Sequence, residues 1–417
     1  MSSFVSSDLH RDLLRAIDAL GFTSATPIQR DVIPPASAGR DVLACAMTGS
    51  GKTAAFLLPI LQRLHGRPRG VTRALILAPT RELAAQIDEH RRELARFTGI
   101  GGAAVFGGVA MGPQETAFRR GVDILVATPG RLLDHFQYPY AKLDGIEVLV
   151  LDEADRMLDM GFLPDIRRVL RHLPARRQQT MLLSATIPAA IVELAGELLR
   201  DPVTIGVERA AAPAVGVSHT AYPVPTELKL SLLVQLLRQP GVRNMLVFTR
   251  TKHRANRLAD GLAKRGVAAE RIHGNRSQAQ RTQALAGFKA GTCRVLVATD
   301  IAARGIDVTG LSHVVNFDVP PMAEDYIHRV GRTARAEMVG DAVTLVSPGE
   351  ESDLRSIERA LGARIVRAWL PEFDYTAPTT ERLEVPLAER IAAIRARKSE
   401  ERARARAKAG RRAFASR

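Results

Sequence analysis

A chain of 417 residues with 46% apolar and 25% charged side chains has room for two or three domains and the composition of a globular protein. Its formal charge of +15 favours a polyanionic partner, either nucleic acid or an anionic membrane surface. No apolar run reaches the ~18 residues of a membrane span and no signal-peptide core opens the chain, so a cytoplasmic protein is expected.

In chain order, Leu9, Leu13, Leu14, Ile17 and Leu20 fall at helical spacing, and Gly21 closes that helix. Thr26 is placed to cap a short helix that begins at Pro27. Residues 41–45 then read as an apolar strand, and Ala54 to Leu58 as the start of a helix. Between them lies Ala46-Met47-Thr48-Gly49-Ser50-Gly51-Lys52-Thr53. A glycine-bearing turn between strand and helix points successive backbone N–H groups into one concavity, where a polyphosphate sits. Lys52 would reach the β- and γ-phosphates there, and the Thr53 hydroxyl would hold Mg²⁺. Ala46 replaces the usual first glycine, so this is a relaxed form of the pattern. Cys45 and Cys293 each lie in or beside a strand-like run and read as buried small hydrophobes.

Further apolar runs at 74–78, 123–127, 146–151 and 180–184 alternate with helical stretches such as 82–97. Continuous apolar strands separated by helices imply a parallel sheet covered on both faces, with phosphate chemistry at the carboxyl ends of its strands. One of these strands, Val148 to Leu151, runs into Asp152-Glu153-Ala154-Asp155. This puts Asp152 beside the Mg²⁺ site opened by Thr53 and Glu153 where it can orient and deprotonate an attacking water. Asp155, taken alone, reads equally as a helix cap.

Residues 208–218 have no usable period and read as a linker between a domain at 1–207 and another at 219–375. The second domain repeats the strand–helix alternation, with strands at 244–248, 269–272, 295–298, 314–317 and 342–346, but has no Gly-Lys-Thr turn. Residues 376–417 carry 12 Lys/Arg against 5 Asp/Glu and read as a basic tail, disordered or helical, that adds phosphate contacts of no sequence preference.

Asp152-Glu153-Ala154-Asp155 is the name-giving tetrapeptide of the DEAD-box RNA helicases, and the chain resembles that family from residue 4 to residue 335. The resemblance implies two tandem RecA-like domains, ATP and Mg²⁺ as ligands, and RNA as partner. Phe22 with Thr26-Pro27-Ile28-Gln29, and Phe4 upstream, look like the adenine-reading Q motif, placed at residues 2–30. Pro79-Thr80-Arg81-Glu82-Leu83, Gly107-Gly108 and Thr128-Pro129-Gly130-Arg131 resemble the RNA-contacting motifs of the first domain. The glycine pair alone would also make an ordinary tight turn.

In the second domain, Thr249, the pair Gln278 and Arg281, and Thr299, Asp300 and Arg304 resemble the matching RNA contacts. Ser184-Ala185-Thr186 and His328 resemble the elements that couple hydrolysis to unwinding. Asp307 would reach the ribose. Arg332 and Arg335, three apart on one helical face, would be delivered to the γ-phosphate from the second domain. Ala334 departs from the family's usual glycine, and Met47 from its usual glutamine. The segment from Ala363 to Tyr375 with the basic tail resembles the bacterial RhlE group. The implied activity is RNA-stimulated ATP hydrolysis coupled to local strand separation and ribonucleoprotein remodelling, in ribosome assembly or RNA degradation. An ATP-gated RNA clamp and a DNA translocase of the same architecture are the other readings.

Overall fold

Successive residues of the apolar runs enter different cores, so each run is a strand buried on both faces. Ile76, Val126, Val150 and Leu183 join one apolar cluster of the first domain, while their neighbours Leu75, Leu125, Leu149 and Leu182 join another. The structure, a computed structural model, describes residues 9–47, 49–175, 179–206, 217–303, 311–333 and 340–378.

The strands of the first domain are β1 Val42–Cys45, β2 Ala74–Leu77, β3 Gly102–Val105, β4 Ile124–Ala127, β5 Val148–Leu151, β6 Gln179–Ser184 and β7 Val203–Ile205. They make a parallel sheet in the order β3-β4-β2-β5-β6-β1-β7. Those of the second are β8 Val217–Pro223, β9 Met245–Phe248, β10 Ala269–Ile272, β11 Val295–Ala298, β12 His313–Asn316, β13 Gly340–Val346 and β14 Val366–Arg367. Their order is β10-β11-β9-β12-β13-β8-β14, again parallel. The expected pair of doubly wound, RecA-like domains is present.

Four helices of the first domain position functional side chains: α1 Arg11–Ala19, α2 Pro27–Ser37, α3 Lys52–Leu64 and α4 Arg81–Leu94. Gly21 follows α1 at φ +72°, and Thr26 is the N-cap of α2 with Pro27 in its first turn, as expected. Cys45 and Cys293 are buried and free.

The structure corrects one boundary: β8 already pairs with β13 at Val217, so the second domain begins two residues inside the expected linker. The rest of that linker lies outside the described residues, as does all of the tail beyond residue 378.

The strand order is what positions the site. The three neighbouring strands β5, β6 and β1 lead into Asp152-Glu153, Ser184-Ala185-Thr186 and the Gly49–Thr53 turn. The next three, β2, β4 and β3, lead into Pro79-Thr80-Arg81, Thr128-Pro129-Gly130 and Gly107-Gly108. One sheet edge therefore has two halves.

Candidate active site

The phosphate turn is held from below by the Q-motif residues. Gly49 and Gly51 adopt φ of +85° and +96°, which an L side chain rarely adopts. A Cβ on Gly51 would also come within 2.5 Å of Gln29 Nε2, so both backbone and space demand glycine there. Gln29 donates from Nε2 to the Gly51 carbonyl at 3.2 Å and accepts the Thr26 N–H at 2.9 Å through Oε1. The residue expected to read adenine thus also ties α2 to the turn.

Lys52 opens α3, is 6% exposed, and donates to the Ala46 carbonyl at 2.7 Å. The N-cap, Gly51, has no side chain to satisfy the helix's first amides. The Ser50 and Thr26 hydroxyls are buried without a hydrogen-bond partner. Orphaned donors around a concave glycine turn suit an anionic polyphosphate. Thr53 is half-buried beside Lys52, Met47 and Phe22 are exposed, and Phe4 and Thr48 lie outside the described residues.

Asp152 and Glu153 end β5 in very different electrostatic surroundings. Burial pushes the Asp152 carboxyl up to about 7, with Lys52 opposing and Glu153 adding to the rise. A buried carboxylate short of positive charge fits a divalent cation, which would be held by Asp152 with Thr53. Burial also works to raise Glu153, but Arg156, Arg332 and Lys52 outweigh it and hold that carboxyl down at about 2. Glu153 is the N-cap of the helix Ala154–Asp159 and is left-handed at φ +51°, a strained conformation for a non-glycine residue.

Asp155, which alone reads as a helix cap, ties the acidic turn to Ser184-Ala185-Thr186. Its Oδ2 accepts from the Ala185 N–H at 3.1 Å, the Thr186 N–H at 2.8 Å and the Thr186 hydroxyl at 2.9 Å. Ser184 Oγ in turn accepts the Asp155 N–H at 3.3 Å and donates to the Thr186 carbonyl at 2.6 Å. The acidic turn and Ser184-Ala185-Thr186 are therefore one unit, joined to the phosphate turn by the Ala46 N–H on the Ser184 carbonyl at 2.9 Å.

The second domain closes over this unit. His328 Nε2 lies 3.9 Å from Asp155 Oδ2, and Arg332, 3% exposed, acts on Glu153 from across the joint. A small cavity at this joint is lined by Arg156, Phe248, Asp300, Asp325, His328, Arg329 and Arg332. Towards the second half of the sheet edge, Glu82 accepts from Gln278 Nε2 at 3.0 Å and pairs with Arg281 at 2.8 Å. Sequence reasoning misses Arg156 as a site residue; Glu82 falls within the Pro79-to-Leu83 motif, but its pairing with the second domain is not readable from the sequence.

Several expected RNA contacts are differently engaged. Thr249 is fully buried at the end of the central strand β9, its hydroxyl directed to the Thr251 carbonyl at 3.4 Å. Asp300 spends both carboxylate oxygens on Arg329, at 2.6 and 2.8 Å, and so fixes that buried arginine beneath the joint. Arg281 is 8% exposed and serves the interdomain pair with Glu82. Pro79, Thr80 and Pro129 are buried, and Thr80 caps α4 through the Leu83 N–H at 3.2 Å. Arg81 packs on the glycine pair so closely that a Cβ on Gly108, which is at φ +83°, would meet its Nη1 at 1.9 Å. Thr128 is the N-cap of the helix Pro129–Phe136, Gly130 is exposed, Arg131 donates to the Val109 carbonyl at 3.1 Å, and Thr299 is half-buried after β11. Arg304, Asp307 and Arg335, with Ala334, lie outside the described residues.

Residues 26–194 match the DEAD/DEAH box helicase family and residues 228–337 the helicase conserved C-terminal domain. A DEAD-box ATP-dependent RNA helicase CshA of Bacillus subtilis is 40% identical over 392 residues, covering 93% of this chain and 79% of that protein. The chain belongs to the DEAD-box RNA helicase family. A second CshA, from Geobacillus kaustophilus, is 39% identical over 385 residues, covering 92% and 82% of the two chains. Among solved structures, S. cerevisiae Dbp5 bound to RNA and ADP BeF3 superposes with a TM-score of 0.81 at 30% identity, over 88% of this chain and 96% of that one.

The joint makes a pH prediction. Burial, with Arg156 and Arg332, pushes His328 down to about 4 from the ordinary 6.5, against the opposing pull of Asp155 and Glu153. A group whose pKa is lowered on closure favours the closed form fully above 6.5 and loses that contribution as pH falls toward 4. Closure driven by RNA and a non-hydrolysable ATP analogue should weaken by about tenfold between pH 7.5 and 5.5. Energy transfer between dyes on the two domains would measure it, and His328→Gln should flatten the dependence.

Proposed function

We propose that the chain is an ATP-dependent RNA helicase whose ATP hydrolysis is stimulated by RNA and coupled to local, non-processive separation of short duplexes. The observation that carries this reading is the division of the charged machinery. Lys52, Asp152 and Glu153 stand on one domain, Arg332 and His328 on the other, and they meet only at the joint.

Hydrolysis of a terminal phosphoanhydride needs charge neutralisation and an in-line water, with little covalent work from the protein. Lys52 and the first amides of α3 bind and orient the phosphates, while Gln29 holds the turn in register. Asp152 and Thr53 would hold Mg²⁺, which when bound would supply charge neutralisation at the phosphate oxygens. Glu153, kept ionised by Arg156 and Arg332, orients the attacking water and accepts its proton. Arg332 adds positive charge where the γ-phosphate becomes more anionic.

RNA binds along the second half of the sheet edge. The amino ends of α4 and of the helix Pro129–Phe136, with Arg81, Arg131 and Thr299, suit a phosphodiester backbone better than base edges. ATP and RNA that both select the closed form bind cooperatively. Little sequence preference and strong salt dependence follow, and preference for RNA comes from the 2′-hydroxyl. Aromatic residues make up only 5% of the chain, which disfavours a base-stacking ladder and long travel.

Turnover by the full chain should rise severalfold with single-stranded RNA and much less with DNA of the same sequence, and a short RNA duplex should be released under ATP. Equal turnover with and without RNA would overturn the reading. Stimulation without release would leave an ATP-gated clamp, and equal stimulation by DNA a translocase.

A further inference from the structure

We propose that Gln114 is a positioning residue for RNA binding. Its buried carboxamide, held by His135, ties back the carbonyls on either side of Gly107-Gly108 and so turns the glycine N–H groups toward the phosphates of the RNA backbone. The inference rests on the reading that this loop meets RNA.

Gln114 lies in the first turn of the helix Gly112–Arg120 and is 5% exposed. Its Nε2 donates to the Phe106 carbonyl and to the Ala110 carbonyl, each at 3.2 Å. One amide group therefore closes the loop from both ends, with the glycine pair between. Arg131 takes the Val109 carbonyl at 3.1 Å, and Arg81 packs on the pair itself. Among the described residues, no hydrogen bond engages the N–H of Gly107 or of Gly108. A loop whose carbonyls are drawn inward offers its amides outward. Successive amides suit a phosphate, which carbonyl oxygens would repel.

The carboxamide must face one way, and His135 decides which. Two carbonyls on one side demand the NH₂ end, so Oε1 faces away from the loop, where His135 Nε2 lies at 3.2 Å. Nε2 then carries the ring proton, and Nδ1 accepts the Tyr140 O–H at 2.9 Å. Burial, with Arg131, pushes His135 below its ordinary 6.5 against the pull of Asp134 and Glu115, which keeps the imidazole neutral in this tautomer. The ring is fully buried in the last turn of the helix Pro129–Phe136, with the Phe118 centroid 5.0 Å away. A carboxamide turned over would set Oε1 against two carbonyl oxygens and leave His135 Nε2 facing another donor. The helix opened by Thr128-Pro129-Gly130 thus supports the glycine loop through one histidine and one glutamine.

The test is ATP turnover of the full chain against the concentration of single-stranded polyuridylate. In Gln114→Met the RNA concentration for half-maximal stimulation should rise about tenfold, the cost of losing a buried hydrogen-bond donor. Turnover at saturating RNA should stay within twofold, which also shows that the variant is folded. Gln114→Glu keeps the shape but replaces NH₂ by an oxygen, and should raise half-saturation at least as far. His135→Phe frees the carboxamide to turn over and should raise it roughly threefold. The double variant should match Gln114→Met alone, because His135 acts through Gln114. Should Gln114→Met not fold, Gln114→Glu and His135→Phe carry the comparison. Half-saturation within twofold of the natural chain in the Gln114 variants would overturn the proposal, as would additive losses in the double variant or a loss confined to saturated turnover. A natural chain that RNA does not stimulate would instead sink the RNA reading beneath it.

Discussion

Lys52→Ala should lower ATP turnover by roughly 10²–10³-fold, the loss expected when one charged donor to a reacting oxyanion is removed. The reason is more than a missing phosphate contact. Lys52 is the cation that most opposes the rise of Asp152, so without it the buried carboxyl becomes harder to ionise. Two positive-charge functions, one toward substrate and one toward the cation ligand, disappear with one side chain. The fold should survive. The ammonium gives up a single hydrogen bond to the Ala46 carbonyl, while Ala54, Ala55, Phe56 and Leu57 of α3 remain packed in the core. Steady-state turnover with saturating RNA, set beside a thermal unfolding scan, separates the two effects. Turnover within tenfold of the natural chain at unchanged stability would reject the phosphate-cradle role.

The parts of the fold that can be read from the chain are those whose physics is local. β2, β4, β5, β9 and β11 are buried on both faces, so their residues are uniformly apolar and stand out as runs. β3 escapes because Gly102-Ala103-Ala104-Val105 is half-buried at a sheet edge, where small residues suffice. β8 escapes because Ser218, His219, Thr220 and Pro223 give it no apolar signature, although it is hydrogen-bonded along seven residues of β13.

The site divides in the same way. Lys52, Asp152 and Glu153 are recognisable because their neighbours in sequence are also their neighbours in space. Asp155 cannot be assigned alone, since its partners arrive from β6 and from His328 in the other domain. Thr249 and Asp300 differ for the converse reason. Position in a motif places them near the cleft, while the Thr251 carbonyl and the Arg329 guanidinium decide where their oxygens go.

Arg332→Ala should reduce turnover by roughly 10³-fold and leave ATP affinity within a few-fold, because an arginine delivered to a transferring phosphoryl group acts mainly in the transition state. The geometry offers a competing account: Arg332 also holds Glu153 ionised, so its loss could act through that carboxylate alone. Arg156 distinguishes the two. It stands on the same domain as Glu153, forms a buried ion pair with it, and is the larger influence on its charge. If holding Glu153 were the whole of the matter, Arg156→Gln would be at least as damaging as Arg332→Ala. If Arg332 acts on the phosphate across the joint, Arg156→Gln should cost only about tenfold, and Arg332→Lys, which keeps the charge and loses the planar fork, should fall between. Single-turnover rates for the three variants, with RNA and ATP saturating, give the order directly. An order with Arg156→Gln lowest would place the essential arginine on the first domain and remove the reason for hydrolysis to wait on closure.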